Sequence, residues 1–64
     1  MKSINRMSDG RLMDIICRNH ACDVIPDVNN YYGWSRAYED CYEDLKMCSR
    51  EELEADAIKY LLQL

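Results

Sequence analysis

The chain of 64 residues contains one histidine and only two glycines. With so little material for a proton-transfer site, and too few residues to wall a substantial pocket, an enzyme is not expected. No run of about 20 apolar residues is present to span a bilayer. The N-terminus also lacks the apolar stretch that opens a secretory signal, so the chain is expected to be cytoplasmic, with no membrane partner. Basic residues are scarce over most of the length: residues 23 to 64 carry ten acids against four bases, whereas residues 1 to 22 carry four bases against two acids. A carboxylate-rich half repels phosphate, so an extended nucleic-acid groove is not expected. A short basic arm containing Lys2, Arg6, Arg11 and Arg18 leaves a DNA-contacting regulator as one alternative. Proline occurs once, at Pro26, within "HACDVIPDVNN", a stretch without helical periodicity. There is no internal repeat and no low-complexity segment.

What is present is helical spacing. Tyr31, Trp34, Tyr38, Cys41, Leu45 and Cys48 follow gaps of three and four, which keeps them on one face of a helix. Asn30 suits its N-cap, since the side chain can accept a bond from an unpaired amide of the first turn. Gly33 weakens that turn, so the start could slip to Ser35. In "SREELEADAIKYLLQL", Ser49 and Glu52 match the capping box, and Leu53, Ala57, Tyr60 and Leu64 line one face. Glu51, Glu52 and Glu54 favour the positive end of that helix's dipole. Ser8 and Asp9 can open an earlier helix with Leu12, Ile15, Ile16 and Asn19 on one face, and Arg18 and His20 suit its negative end. The expectation is therefore an all-α fold of three short helices, over residues 9 to 19, 31 to 47 and 50 to 63. The last two, joined by a short link, are expected to form an antiparallel hairpin. Residues 1 to 64 make one small domain, with 1 to 7 a flexible arm and 20 to 30 a connector. A domain this short buries only about 60% of its unfolded surface, and its margin of stability is thin. Small chains meet that deficit with disulfides, a metal or a partner subunit.

Four cysteines and the histidine raise the metal question. Zinc takes four ligands, and thiolates with imidazole are suitable chemistry. The spacing is not: no close C-x2-C pair exists, and Cys41 and Cys48 are separated by about 10 Å of helix rise. No metal and no cofactor are expected, with Cys17, His20, Cys22 and Cys41 as the donor set of an alternative zinc-stabilised module. Disulfides pairing Cys17 with Cys48 and Cys22 with Cys41 fit poorly, because the separations differ. Free cysteine behaves as a small buried hydrophobe, and unpaired, buried or half-buried thiols are the preferred expectation. A Cys17–His20 catalytic pair would sit at a helix C-terminus, whose negative potential raises a thiol's pKa instead of activating it.

The carboxylates are concentrated: eight fall between Glu39 and Asp56, offset only by Lys46 and Arg50. Helix pairs Arg36 with Asp40 and Glu43 with Lys46 would help to solvate them. The expected functional surface is acidic and aromatic, comprising Glu39, Asp40, Tyr42, Glu43, Asp44 and Glu51, with Tyr32 a further aromatic anchor. Its partner would be a protein with a basic surface, which makes a non-enzymatic regulator or inhibitor the expected class. The last helix is apolar on most sides, so a homodimer formed through Ile58, Leu61, Leu62 and Leu64 is expected to cover it.

Overall fold

The computed structural model describes residues 4 to 62. A 3-10 turn, Ile4–Arg6, precedes three helices: α1, Asp9–Val24; α2, Tyr31–Leu45; and α3, Arg50–Leu61. Among the described residues there is no strand.

Each helix starts where a short polar side chain replaces a missing backbone bond. The Ser8 hydroxyl accepts from the Arg11 amide at 3.1 Å, and Asn30 Oδ1 accepts from the Gly33 amide at 3.0 Å. Ser49 Oγ accepts from the Glu52 amide and donates to Glu52 Oε1, both at 3.3 Å. Such caps contribute about 1 kcal/mol each. Gly33 makes the second one possible. A Cβ there would lie 2.6 Å from the Asn30 side-chain nitrogen, so the helix starts at Tyr31 and does not slip to Ser35.

The first helix is longer than the expected 9 to 19. Asn19 does not stop it, because its side-chain amide donates to the Ile15 carbonyl one turn back at 2.8 Å and leaves the backbone helical. The stop comes from Pro26, which drives the preceding residue out of helical geometry. Ile25 accordingly has φ −124° and ψ 83°. The connector shrinks from 20–30 to residues 25 to 30. Part of the expected flexible arm is folded too: Ile4 and Met7 pack on the core, and the Ile4 carbonyl accepts from Arg50 at 3.1 Å.

The expected α2–α3 hairpin is replaced by a different arrangement. Helix α1 packs against both α2 and α3, which hardly touch one another. α2 runs antiparallel to α1, since Trp34 meets Cys22 and Tyr38 meets Asp14. α3 runs parallel to α1. Its first residue, Arg50, binds Asp9 at 2.7 Å, and Tyr60 in its last turn lies near Asp23. The short link does reverse the chain, but α1 offers α3 a better surface than α2 does. Leu12, Met13, Ile16, Cys17 and Ala21 are all buried, an arc broad enough to face two neighbours. This is not the Leu12, Ile15, Ile16 and Asn19 face that was expected: Ile15 is half-buried and Asn19 is exposed. Leu45 from α2 and Leu53 with Ala57 from α3 complete the core. The Cα trace measures 34 × 26 × 14 Å, the flattened shape of two helices flanking a third. Its radius of gyration, 11.9 Å, exceeds the value of about 10.7 Å for a compact chain of this length.

Along α2 only part of the expected seam is inward. Leu45 is buried; Trp34, Tyr38, Cys41 and Cys48 are half-buried; Tyr31 is exposed. Trp34, Tyr38 and Tyr42 form a stacked row at one-turn spacing, with ring centroids 5.5 and 6.0 Å apart.

Candidate functional site

The four-residue donor set of the zinc alternative does not assemble. Cys17 is wholly buried in the core, whereas His20 and Cys22 are exposed on α1. Among the described residues no three histidine, cysteine, aspartate or glutamate side chains come together as metal ligands. The thiols are free, and Cys17 lies beside Cys41, so the geometry favours neither of the disfavoured pairings, Cys17 with Cys48 and Cys22 with Cys41. Burial, with the Cys41 thiol and the Asp14 carboxylate nearby, pushes the Cys17 thiol up to about 12. Such a thiol stays protonated near neutral pH, and the structure separates buried Cys17 from exposed His20. Cys22, expected to be at least half-buried, is exposed, and its sulfur accepts from Trp34 Nε1 at 3.4 Å.

Glu39, Asp40, Glu43 and Asp44 are all exposed on α2, and Glu51 is exposed in the first turn of α3. Glu43 is paired with Lys46 at 2.8 Å. Among the described residues the other four have no ion-pair partner, and the Arg36–Asp40 pair is not formed. The remaining pairs shorter than 3 Å lie elsewhere: Arg50 with Glu54 and with Asp9, both at 2.7 Å, and Arg18 with Asp14 at 2.9 Å. Tyr42 is half-buried against the core and stacks on Tyr38. Tyr32, at 89% of its full accessibility, and Met47, at 92%, are exposed. They sit near opposite ends of α2, on either side of the carboxylates.

Tyr38 ties α2 to α1. Its hydroxyl donates to Asp14 Oδ1 at 2.7 Å. That bond is the main reason the Asp14 carboxyl is held below its ordinary 3.8, with Arg18 and Arg11 assisting against partial burial. The same carboxylate, with burial, pushes Tyr38 up to about 12.

Sequence reasoning missed an open groove of about 520 Å³ where α1 turns into α2, lined among others by Arg18, Cys22, Ile25, Val28, Tyr31 and Trp34. Ligand pockets span about 300 to 1,000 Å³. The only sequence signal was three β-branched apolar residues, Val24, Ile25 and Val28, bracketing the proline of a loop, where no core demands them. Of the residues expected to mediate self-association, Ile58 and Leu62 are exposed and Leu61 is half-buried. Leu64 lies outside the described residues. Among the described residues no helix is long and apolar enough to cross a membrane. Compared with protein families, with curated proteins and with solved structures, the chain matches none.

Proposed function

We propose that this chain is a non-enzymatic interaction module that binds a basic protein surface through the outer face of α2. The observation that carries the reading is the combination along that helix and just beyond its end: Glu39, Asp40 and Asp44 without a paired cation, between exposed Tyr32 and Met47. Solvated carboxylates steer a basic partner and set register, and the exposed aromatic and thioether supply apolar contact once it arrives. The charge pattern also favours a protein partner over DNA. Asp14 offsets one of the two charges of Arg11 and Arg18, which approach it at 3.5 and 2.9 Å, so the basic half of the chain offers phosphate only a small net positive surface. The four free thiols support a reducing, cytoplasmic setting, and regulation or inhibition of the partner is the role such a module fills.

The test uses a fluorescently labelled lysine- and arginine-rich peptide and a labelled DNA duplex, each titrated with the whole chain. Salt-sensitive peptide binding is expected. It should be lost in Glu43→Lys with Asp44→Lys and weakened in Tyr32→Ala, with the melting temperature nearly unchanged because exposed charges contribute little to stability. Tight DNA binding that depends on Arg6 and Arg11, or peptide binding indifferent to these substitutions, refutes the proposal.

A further inference from the structure

Among the described residues, one end of the molecule gathers most of the large exposed apolar side chains. Val24 closes α1, Val28 stands on the connector at 93% exposure, and Tyr31 opens α2 at 70%. Because α3 runs parallel to α1, exposed Leu62 finishes at this end as well. At the opposite end, among the described residues, only Met47 is comparable. The groove lies in the middle of this apolar end, with Ile25, Tyr31 and Trp34 as walls.

We infer that this end is the interface between two copies of the chain, related by a two-fold axis, with Val28 of each copy seated in the groove of the other. Charge selects a second copy. The groove is lined by one cation and one anion, Arg18 and Asp27, so a two-fold rotation brings Arg18 of each copy towards Asp27 of the other. A basic partner is matched by the acidic face of α2 and gains no such complementarity here.

Both charges are ready for this pairing. Arg18 is held on Asp14 through Nε alone, which leaves its two Nη nitrogens for an acceptor. Asp27 Oδ1 accepts from the Asn29 amide at 2.9 Å and its carbonyl from the Asn30 amide at 3.0 Å. The turn carrying Val28 is thereby fixed before association, which reduces the ordering cost of binding.

Sedimentation equilibrium of the whole chain, from low to high micromolar concentration, tests this. The parent should move from 7.6 kDa towards twice that mass. Val28→Arg should weaken association by about thirtyfold or more, the scale of a hot-spot loss. At the lowest concentration its helical melting curve should match the parent's, since Val28 is in solvent there. Arg18→Glu should also weaken the dimer, and Arg18→Glu with Asp27→Arg should restore it. A monomer at every concentration overturns the inference, whether or not a different protein is then held by this end. So does a dimer indifferent to Val28→Arg but abolished by Leu62→Arg, which would put the interface on α3. Glu43→Lys with Asp44→Lys leaves the dimer unchanged, so this outcome and that of the acidic-face test are separate.

Discussion

Replacing Tyr38 with phenylalanine removes one hydroxyl and should leave a signature at both ends of the pH scale. The Tyr38–Asp14 bond, 2.7 Å long, joins a half-buried phenol to a half-buried carboxylate. A hydrogen bond to a charged group is worth about 1.5 to 3 kcal/mol. The lower part of that range applies, because Asp14 keeps Arg18 and Arg11 after the substitution. The Asp14 pKa is depressed on folding, so its contribution is present above the ordinary value of 3.8 and is lost as pH falls through the lower folded value. Tyr38 is raised from 10.0 to about 12, so its contribution is complete below pH 10 and is lost as pH rises through about 12. The stability difference between parent and Tyr38→Phe should therefore be a plateau of about 1.5 kcal/mol from mildly acidic to mildly alkaline pH, shrinking on both sides. Urea denaturation followed by circular dichroism across the pH range measures it. A difference that stays constant below pH 4 and above pH 10 would refute the coupling of these two groups.

Leu12→Ala should cost about 3 to 5 kcal/mol, because Leu12 is wholly buried between the two flanking helices; a melting curve close to the parent's would show that α1 is not the centre of the core. Ser8→Ala and Ser49→Ala should each cost about 1 kcal/mol, additively in thermal melts since the two caps share no partner. Gly33→Ala should be nearly neutral: alanine gains about 1 kcal/mol in helix propensity, and the crowding of Asn30 at 2.6 Å removes a cap of similar worth. A clear gain in melting temperature would mean that the Asn30 cap contributes little. EDTA should leave the helical circular dichroism signal unchanged, whereas a structural zinc would couple folding to metal; chelator-induced unfolding, reproduced by Cys17→Ser and Cys22→Ser, would favour the zinc alternative.

The three helix starts were legible because caps are local. Ser8, Asn30 and Ser49 each act on an amide three residues on, and that spacing is written in the chain. The end of α1 was less so, since Arg18 and His20 resemble a terminus while the true stop, Pro26, acts from outside. The α2–α3 hairpin failed for a different reason. A short link fixes the direction of return but not the partner, and the choice of partner depended on how wide a face α1 could bury. Cys17 and Ala21 widen that face, and neither stands out as a core residue by hydropathy alone. The carboxylates could be placed outward from periodicity, because solvation follows from not facing α1. The groove could not, since it is assembled from a helix end, a loop and the next helix start.

These two exposed surfaces have a common origin in the way α2 is held. It contributes one buried residue, Leu45, at its C-terminal end. Its middle is fixed by the Tyr38–Asp14 bond, and its first turns are held by half-buried Trp34, whose indole donates to Cys22. Anchoring therefore weakens from Leu45 towards Tyr31. Segments with few buried apolar contacts open at the lowest free energy, so amide exchange along α2 should quicken towards the elbow in a monomer. The elbow is also where the apolar surface and the groove lie. A second copy seated there would supply the cover that α1 does not give the start of α2, and would leave Glu39, Asp40 and Asp44 facing solvent. The least secured part of the fold is thus the part that gains most from association, and occupancy of that end would stiffen the helix bearing the acidic face without occupying the face itself.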